Sequence, residues 1–167
     1  MIKIKTYLFL LLMMPLLALC QDNKLEGFDN LIDKTWTANG KWSDGSVFKQ
    51  EVSYSYDLNE TIIVAKSKGF TNQKQTEYGN RNHGVRQYNA KKKTIEFWEF
   101  DVFGGLTQGN VEIKDEDIYY HYKYGESIVT DCWEYVDDKT YKFTVGSYNE
   151  GEWKAVYLQT EFKLKEE

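Results

Sequence analysis

The chain has 167 residues, a net charge of −5, two cysteines and one proline. That length suits a single domain. The acidic balance argues against nucleic acid and anionic lipid headgroups as partners, and the lone proline, Pro15, leaves no Pro-rich linker.

Residues 1–20 read as a secretory signal. Lys3 and Lys5 form a basic start, and the run 7–19 is almost unbroken apolar sequence, too short for a membrane span. Cleavage after Cys20 would leave Gln21 as the new N-terminus. The alternative is a lipoprotein with Leu17-Ala18-Leu19-Cys20 as lipobox and Cys20 acylated, although Leu19 stands where Gly, Ala or Ser is usual. Lys3 and Lys5 are the only charged residues of the segment, so its removal deepens the net charge from −5 to −7. Cys132 then remains alone, so packing without a disulfide must hold the fold. The expected location is extracytoplasmic, secreted, periplasmic or lipid-anchored to the envelope, with no other membrane attachment.

A polar leader spans 21–27. The barrel domain is read over 28–167. In 28–34, Leu31 and Ile32 give an apolar side and Asp29 or Asn30 a cap, which predicts one or two helical turns. Beyond it the composition favours pleated structure: 13 Tyr, 9 Phe and 5 Trp, with many Val, Ile and Thr. Turn signals cut the chain into strands over 35–42, 47–58, 61–71, 75–89, 94–101, 106–114, 118–124, 127–136, 140–148 and 153–164. The connections have hairpin length and leave no room for a crossover helix, so neighbouring strands pair antiparallel.

About ten hairpin-linked strands predict an all-β, antiparallel up-and-down barrel, because closure removes two long aromatic edges. Alternation supports strands. Ile118, Tyr120, Tyr122 and Tyr124 share one face, Tyr119, His121 and Lys123 the other. In 153–164, Val156, Leu158, Thr160, Phe162 and Leu164 oppose Trp153, Ala155, Tyr157, Gln159 and Glu161. Aromatics on both faces suit a barrel wide enough to leave a lined cavity.

Lys34-Thr35-Trp36 opening the first strand, the strand series and the centre GNRNHGVR…FWEFDVFGG resemble small secreted bacterial lipocalin-like (calycin) domains. The resemblance covers residue 25 to the C-terminus. It implies a barrel with an internal cavity, with Trp36 matching the tryptophan at the base of lipocalin barrels. The Gly-X-Trp form is absent and no lipocalin disulfide is available, so no specific ligand is implied.

The densest polar constellation is Asn80, Arg81, Asn82, His83 and Arg86 on one strand, facing Glu99 and Asp101 on the next. Arg81 and Arg86 are five apart, so they point to opposite faces unless a bulge at Gly84 resets the alternation. A buried Arg needs an acidic partner there. Such a cluster either orients a carboxylate or other polar ligand head or forms a salt-bridge network under the barrel mouth. His83 could serve as a general base, but no nucleophile–base–orienter series accompanies it. His83 and His121 lack metal spacing. A haem-binding barrel would use His121 as axial ligand. Gly104-Gly105 suits a tight turn with positive φ.

The sequence therefore leads to an envelope barrel that binds a small apolar or amphipathic molecule. The expected lining is Arg81, His83, Arg86, Trp98, Glu99, Asp101, Tyr120, Tyr122 and Trp133, with no metal, no cofactor and no enzymatic role. The alternatives are an envelope interaction module without small ligand, and a calycin-like enzyme or haem-binding barrel.

Overall fold

A computed structural model of the chain describes residues 23–166. The signal reading of 1–20 and the fate of Cys20 fall outside the described residues. A 3₁₀ helix, Glu26–Leu31, precedes ten strands: β1 Thr35–Lys41, β2 Val47–Asp57, β3 Ile62–Phe70, β4 Tyr78–Asn89, β5 Thr94–Asp101, β6 Leu106–Lys114, β7 Asp117–Tyr124, β8 Ser127–Asp137, β9 Thr140–Asn149 and β10 Glu152–Leu164. Each pairs antiparallel with its sequence neighbour, and β1 pairs β10, closing a lipocalin-like barrel. Among the described residues no helix is long and apolar enough to cross a membrane.

The strand ends follow local turn chemistry. Asn89 Oδ1 accepts from the amides of Lys91 and Lys92, and Asp137 Oδ1 accepts from Lys139 N–H. Asp101 Oδ1 accepts from Phe103 and Gly105 N–H, with Gly104 at φ +83° between them. The fourth strand starts at Tyr78 rather than 75, because Asn72 ties Thr76 into a separate turn through two hydrogen bonds.

The helix is a 3₁₀ piece over Glu26–Leu31, displaced from the expected 28–34 and without a side-chain cap. Asp29 and Asn30 instead bond outward, to the hydroxyls of Tyr56 and Tyr141. The helix drives Leu25, Phe28 and Leu31 into one end of the barrel, all at most 2% exposed. Leu25 of the expected polar leader is thus a core residue. Below the helix lie Trp36, Ile63, Ile118, Tyr141 and Phe162, at most 1% exposed. Trp36 meets Tyr141 edge-on at 5.2 Å, and Trp133 stacks on Phe162 at 4.1 Å. This half of the interior is packed solid, and the space lies in the other half.

Two bulges break the alternation of β10, between Trp153 and Ala155 and between Val156 and Leu158. Leu158 and Phe162 stay in the core, but Val156 is 43% exposed. It shared a face with them only on the assumption of an unbroken pleat.

Candidate functional site

The open half of the barrel holds a cavity of about 680 Å³, running out between the β1–β2, β3–β4 and β5–β6 connections. Its walls are inward positions of eight strands, so most lining residues recur at every second position. On β5, Phe97, Glu99 and Asp101 face in, leaving Trp98 on the outer face beside Phe100, which is 54% exposed. On β7, Tyr120 and Tyr122 face in, and His121 faces out to Thr130 and Glu112.

Strand β4 carries the polar centre. Its register passes from Asn82 opposite Ser67 to Asn80 opposite Lys68, so Arg81 is the extra residue of a bulge. That bulge, and not one at Gly84, lets Arg81 and Arg86 both line the cavity. Gly84 has another use. A Cβ there would lie 2.1 Å from Arg86 Nη1 and 3.0 Å from Glu99 Oε2, so glycine makes room for the guanidinium.

Arg86 is 4% exposed. Its Nη2 donates to Glu99 Oε2 at 3.0 Å and its Nε to the Tyr120 hydroxyl at 3.2 Å. The rings of Tyr120, Tyr54 and Phe97 surround the guanidinium at 5.1, 5.6 and 5.9 Å. Glu99 Oε1 accepts from Asn82 Nδ2 at 2.6 Å. The remaining Nη1 has no partner, nor have Asn82 Oδ1 and Ser67 Oγ. A buried guanidinium needs such an acid nearby, so Glu99 is the counter-ion that makes Arg86 tolerable inside.

A second carboxyl, Asp131 of β8, faces the same space. Tyr122 donates its hydroxyl to Asp131 Oδ1 at 2.9 Å. Burial pushes the carboxyl up to about 7, and the charge of Glu99 adds to the shift, against the pull of the Tyr122 hydrogen bond. Burial likewise raises the Tyr122 phenol well above its ordinary range, and Asp131 reinforces this.

The sequence-expected residues divide as follows. Arg81, Arg86, Glu99, Asp101, Tyr120, Tyr122 and Trp133 line the cavity. Within that set the structure forms one ion pair, Arg86–Glu99. Arg81 instead donates to the Phe70 carbonyl and lies over the Phe103 ring. Asp101 holds the β5–β6 turn. His83 and Trp98 are corrections: the pleat turns both to the outer face, where His83 is exposed and pairs in register with Phe100 and Lys66. His83 is therefore no base for chemistry inside the barrel, and outward-facing His121 offers no axial ligand to a group held there. Among the described residues no cluster of three or more His, Cys, Asp or Glu could hold a metal ion.

Sequence reasoning missed Asp131, Ser67, Phe48, Phe97 and Phe143. Asp131 had a signal, since it lies two positions before Trp133 and shares its face. On the outer side, Tyr119, Tyr148 and Trp153 form an aromatic row, with ring centroids 5.6 and 5.0 Å apart. Cys132 is buried in register with Tyr119, and burial pushes its thiol up to about 12. That is the inert state of a packed thiol.

No family model matches the chain, and no curated protein matches it. Among solved structures, it is similar to the S-type phycobiliprotein lyase CPES from Guillardia theta. The identity is 9%, over 86% of this chain and 96% of that one, with a TM-score of 0.44. That protein is named as a lyase, so the expectation that this chain has no enzymatic role draws no support from it. At such identity the likeness assigns this chain no reaction, ligand or residue role.

Proposed function

We propose that the barrel binds a small apolar or amphipathic molecule, and that it does so outside the cytoplasm. One observation carries the binding reading: a cavity of about 680 Å³ walled by Phe48, Tyr54, Phe97, Trp133, Phe143 and Val145, with Arg86, Glu99 and Asp131 converging on it. An aromatic inner wall with polar groups converging on it, opening through a polar mouth, suits a small amphipathic molecule. The location rests on the pattern of residues 1–20. The intact mass of the processed protein distinguishes a start at Gln21 from an acylated Cys20.

Exposed Phe100, Val102, Phe103 and Leu106 on the β5–β6 hairpin would suit an interaction module. The hairpin borders the cavity mouth, so we read it as the rim of the same site.

Titration with the neutral fluorophore N-phenyl-1-naphthylamine tests the binding reading. Saturable one-to-one binding with a Kd on the order of 1–10 μM is expected, weakened at least about tenfold by the cavity-filling change Ala65→Phe. Absence of saturable binding, or affinity unchanged by a folded Ala65→Phe, would overturn it.

A further inference from the structure

We infer that the cavity selects a cationic head, a protonated amine or quaternary ammonium carried on an apolar body. This rests on the binding reading above and adds the charge of the ligand to it.

Ion pairing within the cavity wall points to such a head. The sequence suggests that arginines capture a carboxylate, but in the fold Arg86 is already neutralised by Glu99 at 3.0 Å. The interior then retains Asp131, and among the described residues no Lys, Arg or His forms an ion pair with it. Its one hydrogen-bond partner is the hydroxyl of Tyr122 on Oδ1, which leaves Oδ2 without a donor. A carboxylate turned into a hollow with no cation is costly unless something supplies the charge.

The surroundings fit an organic cation. Tyr122, Tyr120 and Phe97 sit beside the acid, with the Phe97 ring 5.1 Å from that of Tyr120 and 6.2 Å from that of Tyr122, both edge-on. Trp133 follows Asp131 on the same face of β8. Aromatic faces attract ammonium groups and repel carboxylates. Two side chains of the lining that are nine-tenths or more buried each keep one polar atom without a partner: Ser67 Oγ at 6% residue exposure and Arg86 Nη1 at 4%. They offer a hydroxyl and an N–H to a polar atom elsewhere on the same ligand.

No basic group of the lining forms an ion pair with Asp131. Lys49 holds its nitrogen 4.8 Å over the Tyr78 ring, Arg81 is engaged with Phe70 and Phe103, and Lys74 lies in the β3–β4 connection. The titratable and charged groups facing Asp131 across the cavity are Glu99, Arg86, Tyr54, Tyr120 and Tyr122, with Arg81, Lys49, Lys74 and Asp101 nearer the mouth. Burial pushes the Asp131 carboxyl up to about 7, so a cation binds its ionised form and affinity grows with pH.

The experiment displaces N-phenyl-1-naphthylamine from the protein with octylamine, octanol and octanoate, which share one chain and differ in charge. The amine is expected to displace at least about tenfold better than the alcohol at pH 8, and the carboxylate worst. Asp131→Asn should erase the advantage of the amine over the alcohol. For octyltrimethylammonium, whose charge is fixed, wild-type affinity should rise roughly tenfold or more from pH 5.5 to 8.5, following the ionised fraction of Asp131. This arm uses the unaltered protein, so it holds even if the variant fails to fold.

Equal displacement by the three probes, preference for octanoate, or a pH-independent affinity would overturn the cationic head while leaving the cavity a binding site. Failure of the fluorophore itself to bind would remove both readings.

Discussion

The Arg86–Glu99–Asn82 network and Asp131 show how one residue's environment decides its chemistry. Arg86 and Glu99 share a face by register, Gly84 standing opposite Glu99, and the missing Cβ of Gly84 leaves the two side chains room to meet over β4. Asp131 lacks a comparable partner, and this has a consequence for stability. Its folded pKa is raised, so the folded state binds the proton more tightly than the unfolded chain does. That contribution is complete below about pH 4 and is lost as pH climbs from about 4 through about 7. Asp131→Asn removes the penalty of an ionised, half-buried acid. It is expected to stabilise the protein by about 1–3 kcal/mol at pH 8, with a gain less than about half as large at pH 5. Denaturant unfolding at the two pH values measures the difference, and an equal effect at both would contradict the account.

At the scale of elements, the N-terminal 3₁₀ helix acts as the floor of the barrel. Six residues make too short a helix to stand alone, and its place is set by burial of Leu25, Phe28 and Leu31. The Tyr56 and Tyr141 hydroxyls then fasten Asp29 and Asn30 to the strands. Phe28 is fully buried and meets Tyr120 edge-on at 6.4 Å, so the floor touches the residue that holds Arg86. Phe28→Ala should cost about 3–5 kcal/mol. It should also weaken fluorophore binding, because Tyr120 loses its support. Thermal melts and the titration described above give the two readouts, and a variant that melts lower yet binds unchanged would separate floor from site. The helix was legible only as a tendency around Leu31. Its start was not, since Leu25 sits in a polar stretch and nothing local marks it as buried.

For the whole molecule, closure rests on the seam between the first and last strands. The β1–β10 ladder pairs Trp36 with Leu164 and Thr37 with Lys163. Beyond it the contact is carried by the Thr160 hydroxyl donating to the Asn39 carbonyl, the Ser43 amide donating to the Tyr157 carbonyl, and an isolated bridge at Trp42. The β8–β9 pair, by contrast, runs from Thr130 to Asp137 with a single irregularity. Native-state hydrogen exchange is expected to be faster at the Asn39 amide than along β8 and β9. Uniform protection around the ring would show the seam to be as firm as the rest.

Strand order and most turn placements were determined by the sequence alone, because turns are local. Asn89, Asp101 and Asp137 bond to amides two to four residues onward, and short hairpins leave each strand no neighbour but the next. Closure was argued from the same facts, as the alternative to open edges. Which face of each strand looks inward was decided by tertiary structure. Tyr119 and Tyr120 are the same residue type, yet one covers Cys132 outside and the other holds Arg86 within. Pleat parity is a global property, reset by bulges at Arg81 and in β10, and an aromatic side chain finds apolar contact on either side of the wall. The pairing of Arg86 with Glu99, the turn of His83 and Trp98 outward, and the uncompensated charge of Asp131 all follow from that parity, so none could be read before the sheet closed.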